Sequence, residues 1–345
     1  MATINSSTNL TDESSGYYAQ LIPIAVLIAF VNGVVFVLYA KDKHLRTPAN
    51  YLLFSLAVCD FMTGLINIPL FIIVFTRVFA PQPGKIFGFF VVVLHNMVIV
   101  SVVYHIFLTT AERYFSIVHP FRHRWKITKG TVLKIILVIW LAAIVIAFLP
   151  IVWFHRFIYF QENISSVTLQ IQTGHNIFCM VFVFLLPYTV MVYLQVIMFR
   201  NIRRRSFKFG KQERLSCTAV NRKVNSMKRS LIIFALMAFF YAVCWFPWYV
   251  VSLLINLWFP LSYEAQIVLS KFAHTFVIIR YYASIVNPAL YIFLKRDFFA
   301  SLKSIVLRRT PKRTNNSQAT SLITERTVNR EYALGLLTGQ DKEAL

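Results

Sequence analysis

Seven long apolar stretches dominate this chain, near residues 21–40, 50–76, 86–111, 135–154, 176–199, 230–258 and 267–294. Each is long enough to cross a bilayer core of about 30 Å, which takes roughly 20 helical residues. In hydrocarbon every backbone polar group must be bonded within the protein, so continuous runs of this length resolve into helices. A membrane barrel is excluded, because its strands show as alternating segments of about ten residues. Composition agrees: 58% of the residues are hydrophobic and 14% charged, against about 25% charged in soluble domains. That balance excludes a disordered chain, a collagen and a soluble globule. The expected fold is an all-α membrane protein, a bundle of seven transmembrane helices.

The net charge is +22, from 35 Lys and Arg against 13 Asp and Glu. Leaving out Arg113, twenty-nine of the 35 basic residues fall in the 41–49, 113–134 and 200–229 connections and after residue 294. These segments alternate with the others across seven spans, so they share one face, and the positive-inside rule makes that face cytoplasmic. The same distribution argues against nucleic-acid binding, since the charge orients spans. Four segments follow: an extracellular N-terminus (1–20), the seven-helix domain (21–294), a membrane-surface helix (295–307) and a disordered cytoplasmic tail (308–345). Residues 1–16 are polar, carry Asp12 and Glu13, and show no cleavable signal peptide. The sequons at Asn5, Asn9 and Asn163 fall on the outer side as candidate glycosylation sites, whereas the one at Asn315 falls inside.

The eighth helix is read from its stripe: Phe298, Leu302, Ile305 and Val306 share a face, with Lys295, Arg296 and Lys303 around them. That is the pattern of an amphipathic helix lying against lipid. Prolines 69, 150, 187, 247 and 288 are expected to interrupt five of the spans. Inside the membrane, Asp60 and Arg280 require partners. Arg280 has three readings: a pair with Asp60, a receiver for an acidic group of a ligand, or a side chain that snorkels to water.

Motifs then accumulate in a fixed order: Asn32; Leu56-Ala57-Val58-Cys59-Asp60; Glu112-Arg113-Tyr114; Trp140 and Pro150; Pro187; Cys244-Trp245-Phe246-Pro247; and Asn287-Pro288-Ala289-Leu290-Tyr291 followed by Phe298. The ordered set, each on its own span, resembles the rhodopsin-like (class A) G-protein-coupled receptors over about residues 20–305. The resemblance implies a plasma-membrane receptor, N-terminus outward, that couples an extracellular ligand to heterotrimeric G proteins and has no enzymatic activity. It implies a coupling switch at Glu112, Arg113 and Tyr114. It implies an activation switch at Trp245, Pro247, Asn287, Pro288 and Tyr291, and an internal polar site at Asn32, Asp60, Ser284 and Asn287. Val102 stands where a serine usually helps to hold sodium, which casts doubt on that ion; no other cofactor and no metal is expected. A ligand pocket is implied at His95, Asn96, Cys179, Trp248, Tyr249, Val277, Arg280 and Tyr281. Arrestin, a receptor kinase and membrane lipid are further implied partners, the first two through Ser and Thr of the tail.

Departures narrow the class. Gly88 occupies the helix-three position of the usual outer disulfide and residues 155–175 hold no cysteine, so no disulfide is expected. Lipid and melanocortin receptors share that absence and stand as alternative ligand classes. His95 replaces the aspartate of amine receptors, and Tyr281 the lysine of light-sensing relatives. The ligand expected is a peptide or a small acidic molecule. An intramembrane enzyme or a transporter is a rival reading, but the intramembrane histidines do not pair at ligand spacing and no internal repeat is visible.

Overall fold

The computed structural model describes residues 20–75, 84–159, 165–211, 217–257 and 263–307. Asn5, Asn9, Asn163 and the tail from 308 lie outside them. Compactness divides the chain into residues 1–301 and 302–345; of the second unit only 302–307, the end of one helix, are described.

Among the described residues, seven helices are long and apolar enough to cross a membrane: α1 (Leu21–Lys41), α2 (Pro48–Val74), α3 (Lys85–Val118), α4 (Lys129–Phe148), α5 (Ser166–Arg204), α6 (Val224–Val251) and α7 (Ile267–Leu294). A short amphipathic α8 (Arg296–Val306) follows. Local chemistry explains several starts. Pro48 stands at the first turn of α2, where its missing N–H costs nothing. Thr128 accepts from the Thr131 N–H at 3.2 Å and caps α4, and Ser165 accepts from Thr168 at 3.1 Å to cap α5.

The prolines behave in three ways. Pro150 ends α4, and a separate helix begins at Ile151–Tyr159. Pro69 and Pro187 each follow a π turn, at Thr63–Asn67 and Cys179–Leu185. The wider turn removes the clash between the proline ring and the carbonyl four residues back. Pro247 and Pro288 sit inside continuous helices, so those two spans are not interrupted. The fifth helix also starts ten residues before the apolar run at 176, at Ser166.

α3 packs on α2, α4, α5 and α6, while α1 packs on α2 and α7, and α6 on α7. Polar clasps fix these neighbours. Asn32 donates to Ile28 O at 2.9 Å and to Ser284 O at 3.1 Å, tying α1 to α7. Trp140 donates to Ser55 Oγ at 3.3 Å (α4 to α2), and Gln195 to Phe234 O at 3.1 Å (α5 to α6). Gly64 is demanded by close approach: a Cβ there would stand 2.7 Å from Ala25 O and 2.9 Å from Ala29 N.

Candidate functional site

Two ends of the bundle carry the chemistry. At the basic end, the Glu112 carboxylate is 4% exposed. Its Oε2 lies 3.0 Å from Arg113 Nε, and its Oε1 lies 2.6 Å from His123 Nε2. His123 comes from the short helix Pro120–Lys126 that follows α3. Glu112 therefore holds two partners at once, and nothing in the three-residue motif signals the second. Arg113 also reaches α6, with its Cζ 5.6 Å from the Phe234 ring centroid. An aromatic face of α6 thus meets Arg113. Tyr114 turns away from this pair and edges onto Phe115 and His119.

Lys295, at the junction of α7 and α8, points into the same region. Its amine donates to Asn50 Oδ1, lies 3.4 Å from Asp297 Oδ2 and sits over the Phe298 ring. Burial, and then the nearby Arg113 charge, lower its pKa to about 8. Tyr291 packs edge-on against Phe298 at 5.3 Å, which seats the end of α7.

Midway along the bundle, Asp60 is fully buried. Its Oδ2 accepts from Asn287 Nδ2 across a long 3.4 Å, and its Oδ1 has no partner. Asn32 and Ser284 complete the polar set through the backbone clasp given above. Val102, 4% exposed, adds no oxygen. The donor set is one carboxylate with neutral side chains, and no step is assigned to an ion there.

At the opposite end lies a cavity of about 570 Å³, lined by α3, α4, α5 and α6, by Val74 at the end of α2 and by the Ile151–Tyr159 helix. Asn96, Cys179, Trp248 and Tyr249 line it, as does Trp245. The other four expected pocket residues stand behind this wall. Val277 and Tyr281 join an apolar cluster with Leu21, Ile24, Ile28 and Ile68. His95 lies between the Phe71 and Tyr281 rings. Arg280 is 2% exposed and faces the rings of Trp248, Tyr281 and Trp245. The pair with Asp60, one of its three readings, does not form: Asp60 meets Asn287, and the guanidinium is caged by rings. The snorkelling reading fails with it, since the side chain is enclosed.

The sequence reading missed several wall residues. Gln172 accepts from Trp153 Nε1 at 2.9 Å and donates to Asn176 at 2.9 Å, and all but Trp153 of this chain line the cavity with Lys85, Phe89 and His175. Gln172 and His175 belong to the ten residues of α5 that precede its apolar run at 176, and Asn176 opens that run; their polarity concealed them. Cys179 lies 3.7 Å from His175 Nε2, one helical turn away. It is a free thiol, as are Cys59 and Cys244. Below the cavity, Phe184 stacks with Phe246 and meets Tyr241 and Tyr249 at a tilt, and Tyr241 stacks with Trp245. Among the described residues no group of three metal-ligating side chains occurs.

With this geometry in place, comparison with known proteins is decisive. The family model "7 transmembrane receptor (rhodopsin family)" matches residues 31–291. The chain belongs to this family. Among similar proteins, neuromedin-U receptor 2 of Rattus norvegicus is 26% identical over 303 residues, covering 83% of this chain and 75% of the relative. The human neuromedin-U receptor 2 is 25% identical over 296 residues, covering 83% and 70%. The pyroglutamylated RF-amide peptide receptor of Rattus norvegicus is 25% identical over 301 residues, covering 82% and 68%. The protein is a multi-pass plasma-membrane receptor that binds an extracellular ligand and acts through G proteins. Receptors of this family signal rather than catalyse, and the enzyme and transporter readings are set aside.

Proposed function

We propose that the receptor binds one end of an extracellular peptide in the 570 Å³ cavity and passes the signal to Arg113 at the opposite end. The N-terminus faces outward in this reading, because the basic connections lie at the Arg113 end. Asn5, Asn9 and Asn163 are then open to glycosylation, and the tail to a kinase and arrestin, with α8 and its basic residues against anionic lipid. The carrying observation is the cavity wall. It combines the amides of Asn96, Gln172 and Asn176 with the rings of Phe89, Trp248 and Tyr249, and its one lysine is Lys85. Among the described lining residues there is no carboxylate. Such a wall hydrogen-bonds a neutral or anionic peptide terminus and offers a free amine no counter-charge. The names of the relatives, neuromedin-U and RF-amide peptide receptors, support a peptide over a lipid.

Agonist binding displaces Trp245, Pro247 and Pro288 let α6 and α7 bend, and Asn287 and Tyr291 repack. Arg113 then exchanges Glu112 for the G protein. Short peptides in amidated and free-acid forms, screened by G-protein nucleotide exchange in receptor membranes, test this. At least one form is expected to activate, and Trp248→Ala to lower its potency about 30-fold, as for a central aromatic anchor. Activation by lipids but by no peptide, or unchanged potency in both Trp248→Ala and Asn96→Leu, overturns the reading.

A further inference from the structure

Arg280 is the largest fully buried side chain of the bundle, and the switch described above gives it no task. A guanidinium stays charged at any accessible pH. Buried without a counter-charge, it is costly. Its Cζ lies 4.3 Å from the Trp248 ring centroid, 5.1 Å from that of Tyr281 and 5.7 Å from that of Trp245. Cation–π attraction of this kind recovers part of the cost. The hydrogen-bonding inventory stays open. Nη2 makes a long 3.4 Å contact with Tyr281 Oη, and Nε has no partner. Among the described residues no carboxylate pairs with it. Beside it, His95 edges onto Tyr281 at 6.1 Å, and neither of its two buried ring nitrogens is hydrogen-bonded. A cation and two polar side chains converge here with unmet capacity and no negative charge.

We propose that Arg280, with His95 and Tyr281, forms a latent site for one small anionic group, a carboxylate or a halide, behind the Trp245–Trp248 wall of the cavity. Both tryptophans line the cavity and both touch Arg280. An anion that engages the guanidinium competes with their π faces for the same cation. Occupancy therefore loosens the restraint on Trp245, two residues before Pro247. The site deepens the ligand-cavity reading, since a carboxylate of the ligand is one source of the anion. Its test uses simple ions and stands apart from any peptide.

The test is the thermal unfolding midpoint of the purified full-length receptor, titrated with sodium chloride or sodium acetate and balanced with a bulky buffer sulfonate at constant ionic strength. The wild type is expected to gain about 2–4 °C in a saturable manner, and Arg280→Gln nothing. A gain with chloride assigns a free halide, and a gain with acetate alone assigns a carboxylate. Should Arg280→Gln not fold, bromide quenching of tryptophan fluorescence replaces it: saturable in the wild type and linear in Trp248→Phe. Midpoints in chloride and acetate that superpose on the sulfonate reference overturn the proposal, as does an equal gain in Arg280→Gln, or linear bromide quenching in the wild type together with no gain in acetate.

Discussion

Glu112→Gln isolates the charge at the centre of the basic-end cluster while keeping its volume. Two contacts depend on that charge: Arg113 Nε at 3.0 Å and His123 Nε2 at 2.6 Å. Hydrogen bonds to charged groups contribute about 1.5–3 kcal/mol, and neutral ones about 1 kcal/mol. The His123 hydrogen bond falls to a neutral one, and the Arg113 contact, a close ion pair without hydrogen-bond geometry, loses its Coulomb attraction, so each loses on the order of 1 kcal/mol. Arg113 is 18% exposed and His123 25% exposed, and partial screening holds the Arg113 loss near the low end. A restraint weakened by about 1 kcal/mol raises the released population about fivefold. The assay is ligand-free nucleotide exchange on G protein in membranes at matched surface expression. A severalfold rise in basal exchange is expected. Exchange equal to the wild type would refute the argument, because it would mean that Glu112 does not restrain Arg113.

Gly64→Ala should destabilise the receptor by about 1–3 kcal/mol, the usual range for overpacking, because the new Cβ meets backbone at 2.7 and 2.9 Å. Gly88→Ala, whose nearest neighbour is Val74 Cγ1 at 3.5 Å, should leave the unfolding midpoint in detergent unchanged; equal shifts in the two variants would contradict the packing. Combining Arg280→Ala with Asp60→Asn should give additive stability changes within about 0.5 kcal/mol, since the two groups are not paired; a larger coupling would restore the ion pair. Lys295 titrates near 8 in the folded state against an ordinary 10.5. The unfolded chain therefore holds the extra proton between those values, and stability should rise as pH rises through that window. Lys295→Met should flatten the rise, and an identical profile in the variant would exclude Lys295 as its source.

The switch residues divide unevenly between sequence and structure. Glu112-Arg113 is adjacent in sequence, so its ion pair is legible there. His123 is eleven residues from Glu112, and the contact exists only because the Pro120–Lys126 helix folds back beneath α3. The cavity shows the same division. Asn96, Trp248 and Tyr249 lie at positions that the family resemblance supplied. Gln172, His175 and Asn176 were hidden because they lie before or at the very start of the apolar run of α5 and are themselves polar.

Span number, helical class and charge asymmetry were set by the sequence alone. The bilayer reads apolar length and flanking charge, and both are local properties that no neighbouring element can alter. What each side chain faces is not local. It depends on how a helix is rotated against its neighbours, and a π turn such as Cys179–Leu185 rotates everything beyond it. Only the tertiary structure could therefore turn Arg280 from Asp60 to the rings of Trp245, Trp248 and Tyr281. A charge in the membrane must find some compensation, but which groups supply it is decided by packing.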